Sequence, residues 1–410
     1  MQSPAFRRLN IHIPSYERGS AFGLLTAILD RFEVSAMNRR PSQSRTGFDS
    51  FSPQHTAHFK AAQPGGEFFE PKPRASLGRR LLLALLLMTL IALAVNLAVN
   101  QFVRVARVTV PIRRMDPAFE GYTLLQISDL KGATYGSNQA LIRFALQNED
   151  FDAVVFTGDM VSSRGNAQPL YALIEMLREL KPDAPIYMIP GDKDPLPASM
   201  SYATGGSPFA PWVLGAKQRG GQLLSAPVQI ERDGHTLWLT TSALLSLDMD
   251  TMQAQFERQY LDALAGGDEN AIELTTYNLQ WLTETRNARA KMTDADVYIA
   301  LTHVPPADEE LESAYPGSLR ERVHLVLCGH YQGGLVRLPF VGALFIPSQN
   351  LPLYGLLPGA DTYFGLTRKG RTYLYVSPGL GGNDGLYPLP FFRLFNPPTV
   401  SLISLTTSSL

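Results

Sequence analysis

Five polar motifs, each placed after a short apolar run, carry the residues of this sequence that are suited to chemistry. In chain order they are Asp129-Leu130-Lys131-Gly132, Gly158-Asp159-Met160, Pro190-Gly191-Asp192-Lys193-Asp194, His303 and Gly329-His330-Tyr331-Gln332-Gly333-Gly334. Each motif contains an acid or a histidine, often beside a glycine, which lets the backbone turn sharply. Carboxylate oxygens and imidazole nitrogens together suit Mn, Fe or Zn. The set therefore predicts a site for a divalent metal ion.

The apolar runs before these motifs have the length of buried β-strands, and stretches with helical spacing alternate with them. The runs are Tyr122–Ser128, Ala153–Thr157, Ile186–Ile189, Leu237–Thr241, Val297–Thr302 and Val323–Cys328. Leu141–Gln147 and Leu170–Leu180 are interpreted as helices, and the charged stretch Met249–Thr293 as a helical insertion (about 249–293) broken at Gly266-Gly267-Asp268. This alternation indicates an α/β fold. Ligands in open α/β sheets gather at the carboxyl ends of strands, where the motifs lie.

Each motif alone is a weak signal, because a Gly-Asp pair is usually a turn and a lone histidine is usually structural. Their order, however, resembles the signature of the calcineurin-like metallophosphoesterases: Asp-x-His, Gly-Asp, Gly-Asn-His-Asp, His and Gly-His-x-His. The resemblance runs from about Val108 to Leu405. It is closest to a membrane-associated bacterial branch, through the stretch GHYQGGLVRLPFVGALFIPSQ and the tail YLYVSPGLGGNDGLYPLPFFRLFNPPTVSLISL. It implies a two-sheet metallophosphoesterase sandwich with flanking helices.

The resemblance also implies two metal positions, of which the first is altered in this sequence. Its expected ligands fall on Asp129, Lys131, Asp159 and Gln332, where the family has Asp, His, Asp and His. A protonated lysine does not ligate a metal, and a glutamine oxygen is a poor replacement for an imidazole nitrogen. We therefore expect the first metal position, with Asp129 and Gln332 as its remaining ligands, to be weak or lost.

The second metal position keeps residues that are all able to ligate. The resemblance places it on Asp159, Asp192, His303 and His330. Asp192 adds a negative charge where the family has a neutral amide, which strengthens the attraction for a cation. The sequence therefore predicts one divalent metal ion per chain, Mn, Fe or Zn.

Two lysines replace two histidines of the family pattern. Lys193 falls where the family has a histidine that contacts phosphate; a lysine pairs with phosphate as a point charge, but its ordinary pKa near 10.4 makes it a poor proton shuttle. Our hypothesis is that the Lys131 ammonium occupies or neighbours the first metal position, paired with Asp129. Lys193, Asp129 and Lys131 are thus the candidate catalytic residues. Hydrolysis is expected to be slow or absent, because a lysine does not acidify water as a metal does.

The run Leu81–Val99 carries no charged side chain and has the length, about 20 residues, that crosses a bilayer. Residues 75–104 are interpreted as an uncleaved signal anchor rather than a cleaved signal peptide, whose apolar part is only about 7–15 residues long. Basic residues flank both ends, and Arg79 and Arg80 lie nearest. They favour an inside N-terminus, which places the domain at 105–410 outside the cell membrane.

The N-terminal residues 1–74 are rich in Pro, Ser, Gln, Gly and Arg, which predicts a disordered tail. Within it, Ala21–Val34 is interpreted as a transient helix, with an amphipathic membrane helix as the alternative. The single cysteine, Cys328, excludes a disulfide framework and a Cys-rich metal site. A net charge of -1 gives no electrostatic reason to expect nucleic-acid binding.

Two functions follow with equal weight. One is a membrane-anchored metal-dependent phosphoesterase acting on a phosphate ester or pyrophosphate, which the resemblance implies to be lipid-linked or associated with the cell wall. The other is a catalytically impaired pseudoenzyme that binds a phosphorylated ligand or a partner protein at the membrane. A purely structural role is less favoured. The apolar segments near Phe340–Leu344, Leu351–Leu357 and Phe391–Phe395 are interpreted mostly as core, with lipid docking as the alternative. Tyr331 is equally suited to packing and to ligand contact.

Overall fold

The computed structural model describes residues 76–203, 207–312, 319–338, 340–346, 355–359, 363–382 and 393–408. The expected tail 1–74, with Ala21–Val34, lies outside these ranges, as do residues 351–354 and 391–392 of two apolar segments. All the elements described here belong to one structural unit, Ala75–Leu410.

The elements alternate along the chain as the apolar runs predict. The helices are α1 (Leu77–Val99), α2 (Ala140–Leu146), α3 (Gln168–Leu180), α4 (Met200–Ala203), α5 (Pro211–Gln218), α6 (Ser242–Ser246), α7 (Met249–Gly266), α8 (Glu269–Lys291) and α9 (Asp308–Glu312). The strands are β1 (Arg104–Arg113), β2 (Thr123–Ile127), β3 (Ala153–Thr157), β4 (Ile186–Ile189), β5 (Gly221–Leu223), β6 (Val228–Arg232), β7 (His235–Thr241), β8 (Val297–Leu301), β9 (Leu325–Cys328), β10 (Arg337–Leu338), β11 (Gly342–Ala343), β12 (Gly365–Lys369), β13 (Thr372–Val376) and β14 (Thr399–Ser408).

Two six-stranded mixed sheets and one short hairpin contain these strands. The first sheet has the order β1-β14-β2-β3-β4-β5, and the second β12-β13-β9-β8-β7-β6. Strands β2 to β5 are parallel, as are β7, β8, β9 and β13. Antiparallel pairings occur at β14 with β2, at β6 with β7 and at β12 with β13. Together with the flanking helices, the two sheets confirm the predicted α/β sandwich class.

Alternation along the buried strands builds three apolar layers, because successive side chains of a strand point to opposite faces. In β3, Ala153 and Val155 join side chains of the second sheet, such as Ile299, in a core between the sheets. Val154 and Phe156 point the other way, against α2 and α3. A third core lies between the second sheet and its helices, around Trp238, Tyr298 and Met292. The strands are therefore held on both faces, and their ends are fixed in position.

The charged stretch Met249–Thr293 forms two helices, α7 and α8, between β7 and β8. Gly267 adopts a left-handed conformation (φ 66°) that ends α7. The next residue, Asp268, caps α8 through its side chain, which accepts a hydrogen bond from the Ala271 amide at 3.1 Å. A glycine after one helix and an aspartate before the next are the residues these positions favour.

Helix α1 contains the uncharged run Leu81–Val99 and begins four residues before it. Ser76 caps the helix, because its hydroxyl oxygen accepts a hydrogen bond from the Arg79 amide at 3.3 Å. Within the described ranges it is the one helix long and apolar enough to cross a membrane. Its side chains are exposed except that of Asn96. Asn96 and Asn100 each donate a side-chain hydrogen bond of 2.6 Å to the Arg393 carbonyl, so the end of α1 is joined to the domain.

Candidate metal centre

The carboxyl ends of five strands from the two main sheets bring all the predicted site residues together. Asp129 and Lys131 follow β2, Asp159 follows β3, Asp192 and Lys193 follow β4, His303 follows β8, and His330 and Gln332 follow β9. Hydrogen bonds and ion pairs connect these eight residues without a break. We divide the site into a first half (Asp129, Lys131 and Gln332) and a second half (Asp192, His303 and His330), with Asp159 between them.

The backbone of the site is bent into conformations that ordinary residues seldom adopt. Left-handed φ angles between 50° and 69° occur at Asp129, Lys131, Asp159, His330 and Gln332. Each such residue costs about 1–3 kcal/mol in conformational strain, and strain of this kind clusters at functional sites. These turns lie directly after β2, β3 and β9.

Glycines allow two of these turns to lie against each other. A Cβ on Gly191 would lie 2.2 Å from the Asp159 amide nitrogen and from its carboxylate oxygen. A Cβ on Gly158, where φ is +91°, would lie 2.6 Å from Nδ1 of His303. Side chains at either position would push the acids and the histidine apart, so the two glycines are required by close packing of the site.

In the second half, carboxylate and imidazole groups converge on a small volume. Nε2 of His303 lies 2.9 Å from Oδ1 of Asp192 and 3.4 Å from Oδ1 of Asp159. Nδ1 of His330 lies 3.2 Å from Oδ1 of Asp192 and 3.3 Å from Nε2 of His303. One ligand atom from each of Asp192, His303 and His330 is within 4.8 Å of the others. This donor set fits a divalent transition-metal ion.

A main-chain carbonyl fixes the orientation of the His303 ring. Nδ1 of His303 lies 2.8 Å from the Thr157 carbonyl oxygen, which only accepts hydrogen bonds, so Nδ1 carries a proton and donates. Nε2 is thereby turned toward the acids. This arrangement, in which one ring nitrogen is held by an acceptor and the other is presented to the site, is the usual support of a metal-binding histidine.

The charges in the second half also favour a cation. Burial of the ring acts to lower the pKa of His303, but its hydrogen bonds with Asp159 and Asp192 outweigh this and raise the pKa to about 11. Although burial opposes it, hydrogen bonds from His303, His330 and Lys193 hold the pKa of Asp192 well below its usual range. His303 therefore carries a proton on Nε2 at neutral pH, and a metal ion bound by this nitrogen would have to displace it.

In the first half, a lysine lies between two acids. Nζ of Lys131 is 3.3 Å from Oδ2 of Asp159 and 4.0 Å from Oδ1 of Asp129, and all three side chains are buried. The ammonium is thus closer to Asp159 than to Asp129, the partner that the sequence suggested. One ligand atom from each of Asp129, Asp159 and His303 also lies within 4.8 Å of the others. A dication among them would be repelled by the buried Lys131 ammonium, which lies 3.3 Å from Oδ2 of Asp159.

Hydrogen-bond donors further satisfy Asp129. Its carboxylate accepts from Ser128 Oγ at 2.6 Å, from the His330 amide at 3.1 Å and from Nε2 of Gln332 at 3.3 Å. Gln332 turns its nitrogen toward Asp129, and in the described part of the chain its buried Oε1 has no hydrogen-bond partner. The amide therefore acts here as a donor to Asp129 and is not oriented to share a metal with it.

Lys193 lies on the exposed side of the site, and Asp194 supports the turn beneath it. Nζ of Lys193 lies 2.8 Å from Oδ2 of Asp192, with more than half of the lysine side chain exposed. Asp194 accepts from the Val161 amide at 2.7 Å and from the Gly191 amide at 2.8 Å. Burial raises the pKa of Asp194. This residue holds the turn that carries Asp192. It is the last residue of the sequence motif Pro190–Asp194, but its role was not predicted.

The sequence also did not predict the role of Arg393, whose guanidinium is fully buried. It donates to the carbonyl oxygens of Asn396, Gly381, Gln332 and Pro378 at 2.6–3.0 Å. Burial lowers its pKa to about 10. Arg393 thus supports the backbone of the turn that carries Gln332, and its own carbonyl accepts the bonds from α1.

Tyr331, between His330 and Gln332, is buried in the third core, and its ring centroid is 5.6 Å from that of His330. The ring packs against the site histidine. This contact supports the packing interpretation of the residue.

A sheet sandwich with acids and histidines at the strand ends defines the metallophosphoesterase class. The family model described as calcineurin-like phosphoesterase matches residues 122–332, just over half of the sequence, and the chain belongs to this family. Every site residue from Asp129 to Gln332 lies inside the matched range.

The chain is also similar to a Bacillus subtilis (strain 168) protein described as the uncharacterized metallophosphoesterase YkuE. The two are 25% identical over 266 residues, which is 64% of this chain and 73% of that protein. Among solved structures, phosphopantetheinyl hydrolase (PptH) from Mycobacterium tuberculosis aligns with 11% identity and a TM-score of 0.32, over 67% of this chain and 96% of the other. TT1561 of Thermus thermophilus aligns with 11% identity and a TM-score of 0.31, over 63% and 90%.

Proposed function

We propose that this chain is a membrane-anchored phosphoesterase that works with a single divalent metal ion, Mn, Fe or Zn, held by Asp159, Asp192, His303 and His330. The observation that carries the proposal is the contrast between the two halves of the site. The carboxylate and imidazole atoms of the second half converge within 4.8 Å. In the first half the Lys131 ammonium lies between Asp129 and Asp159.

The bound metal would supply Lewis-acid polarisation of a phosphoryl oxygen. Lys193 lies at the open edge, paired with Asp192. It is placed to bind a phosphate oxygen as a point charge. Lys131 holds Asp129 and Asp159 in position, so that the site keeps a positive charge where a second metal is lost. Asp129 acts as the anchor of that lysine and orients Gln332 and the His330 backbone.

Hydrolysis by this site is proposed to be slow. In two-metal phosphoesterases, ions about 3.5–4 Å apart stabilise both the attacking and the leaving oxygen. An ammonium group in place of one ion attracts the anionic substrate, but it does not lower the pKa of a water molecule as a metal does. The chain would therefore bind phosphate esters well and turn them over poorly.

A second candidate function is a pseudoenzyme that binds a phosphorylated ligand, or a partner protein that carries one, without hydrolysis. The burial of Lys131 between two acids favours it, because this arrangement is complete without a second metal. Both functions share one binding site and one metal, and they differ only in turnover.

For both candidate functions, membrane anchoring determines which ligands the site is able to reach. Helix α1 is proposed as a single-pass anchor, with the domain on the extracytoplasmic side. The end of α1 bonds to Arg393, and Arg393 bonds to the carbonyl of Gln332 in the site. The phosphate ester or pyrophosphate proposed as the ligand is therefore one found at a membrane surface, linked to a lipid or to the cell wall, and nucleic acid is not an expected partner.

The test is a phosphodiesterase assay of the full-length chain in detergent, with Mn, Zn and Fe(II) titrated in. His303→Ala and Asp159→Ala are compared with His235→Ala, a matched control at an exposed histidine paired with Asp116 outside the site. Metal-dependent activity lost in the first two variants and kept in the control supports the enzyme. Metal binding lost in the same two variants, without turnover in any variant, supports the pseudoenzyme. Activity that survives both site substitutions contradicts the proposal.

A further inference from the structure

A small β structure next to the end of α1 exposes a group of large apolar side chains. Its members, which we call the apolar rim, are Phe340, Val341, Phe345, Leu356, Leu357 and Phe395. Phe340 is fully exposed, and each of the others is at least half exposed. The sequence favoured core packing for most residues of these segments, but Phe340, Val341, Leu356, Leu357 and Phe395 are exposed. Exposed apolar groups of this kind mark contact surfaces.

Hydrogen bonds fix the level of the rim relative to α1. The amide of Phe395 donates to Oδ1 of Asn96 at 3.1 Å. Asn96 lies one turn before the end of α1, and its Nδ2 bonds to the carbonyl of Arg393. Phe395 is therefore held level with the last turn of the helix. If that turn lies at the edge of a bilayer, Phe395 lies there too.

The remaining rim residues are joined to this point by a continuous ladder. Leu394 exchanges backbone hydrogen bonds of 2.9 Å with Leu335 and Arg337, at the start of β10. Strands β10 and β11 form a hairpin whose tip is Phe340 and Val341. The chain then continues to Phe345, which pairs with Leu356 in an antiparallel bridge, so that both side chains lie on the same face.

The side chains of the apolar rim and its position next to α1 indicate what the rim binds. The rim contains only apolar side chains, three of them aromatic, and aromatic residues are enriched at membrane interfaces. Through Phe395 it adjoins the end of α1, whose leucines are themselves exposed. We infer that the apolar rim inserts into the lipid surface beside α1 and forms a second membrane contact of the chain. This inference rests on the proposed membrane anchoring.

The apolar rim also follows the site residues directly along the chain. The segment that carries His330 and Gln332 runs through the turn Gln332–Gly334 directly into β10. A rim held in lipid therefore holds the site at a fixed height above the bilayer. This deepens the proposed function, because a phosphate attached to a membrane lipid would be presented at that height, whereas a soluble ester would gain nothing from it.

Single cysteines in the full-length chain test the inference. The native Cys328 is buried, so an introduced surface cysteine takes the label. Phe340→Cys and Phe395→Cys probe the rim, Leu86→Cys probes the middle of α1, and Phe144→Cys is the matched control, an exposed phenylalanine on α2 that is not part of the rim. Each variant carries an environment-sensitive fluorophore and is reconstituted in vesicles of phosphatidylethanolamine and phosphatidylglycerol. Quenching by spin-labelled lipid is compared with quenching by aqueous iodide.

The expected result is strong lipid quenching at positions 86, 340 and 395, and strong iodide quenching at 144. Labels at 340 and 395 that behave like the label at 144, while 86 is quenched by lipid, overturn the rim contact and leave the anchor intact. Protection of 340 and 395 from both quenchers means that protein covers the rim, which also overturns it. If 86 is not quenched by lipid, the proposed anchoring itself fails.

Discussion

The two halves of the site solve one electrostatic problem in different ways. Each half places a positive charge among carboxylates. In the first half that charge is the Lys131 ammonium, and in the second it is the proton on Nε2 of His303. The proton is exchangeable for a metal ion, whereas the ammonium is tied to the backbone by its own side chain. Under the proposed function, the Lys131 ammonium has replaced one metal ion, and the site keeps its balance of charge.

Asp159 joins the halves and makes them depend on each other. Its Oδ2 faces Lys131, while its Oδ1 faces His303 and accepts from the Lys193 amide at 2.9 Å. The hydrogen bond and charge of His303, with Lys131, lower the pKa of Asp159 against the opposing effect of burial. Changes in one half are therefore expected to reach the other through this carboxylate.

The largest expected effect is a loss of stability when the buried Lys131 ammonium is removed. Lys131→Met leaves Asp129 and Asp159 without their cation, and breaking a buried ion pair costs about 3–5 kcal/mol of stability. Lys193→Met is the matched control, because its exposed ion pair with Asp192 contributes only about 0–1 kcal/mol. Denaturant unfolding of the full-length chain in detergent, with a chelator present, measures both. Equal free energies of unfolding for the two variants would show that the Lys131 ammonium does not stabilise the buried acids.

The next effect concerns the metal in the second half. His303→Ala removes a ligand and the group that positions Asp192, so the metal affinity is expected to fall at least about 100-fold, the upper range for the loss of a supporting residue. Titration calorimetry with Zn measures it, and His235→Ala is expected to bind like the unaltered chain. An affinity that is the same in His303→Ala would place the metal elsewhere.

The pH dependence of metal binding distinguishes an exchangeable proton from a fixed charge. Because the pKa of His303 is raised to about 11, metal binding below that pH must displace a proton. The affinity should therefore rise about tenfold per pH unit, and the rise should continue above pH 7. An ordinary histidine, with a pKa of about 6.5, would give a constant affinity there. A flat profile between about pH 7 and 8.5 would contradict the charge assignment.

The smallest effect is expected at the exposed edge. Lys193→Met should weaken binding of inorganic phosphate by the metal-loaded chain about threefold, because exposed ion pairs contribute less than about 1 kcal/mol. Equilibrium dialysis measures it, with Lys217→Met, a lysine near the end of α5, as the control. A loss of affinity of the same size in both variants would show that Lys193 has no specific role.

Much of the fold could be predicted from the sequence. The prediction was most accurate for apolar runs that are followed directly by a glycine or a proline. Strands β3 and β4 have the predicted bounds, because each is buried on both faces and its residues are continuously apolar. Strands β1 and β14 were not among the predicted apolar runs. Their apolar residues alternate with Thr, Ser and Arg, so a run of apolar residues does not reveal them.

The residues of the site could be predicted as a group, since each follows a strand, but not their contacts. That Lys131 lies closer to Asp159 than to Asp129 depends on left-handed turns at all three residues. The role of Arg393 could not be predicted from the sequence. Its hydrogen-bond partners are main-chain carbonyls, one of them on the distant Gln332, and contacts with the main chain do not depend on the residue type of the partner.

The most direct test of the account is the metal content of the purified full-length chain after saturation with Mn, Zn or Fe(II) and removal of loosely bound ions. The chain is expected to retain one metal ion, and the double variant Lys131→His, Gln332→His, which restores the family ligands, is expected to retain two. Two tightly bound ions in the unaltered chain would contradict the claim that Lys131 has replaced the first metal.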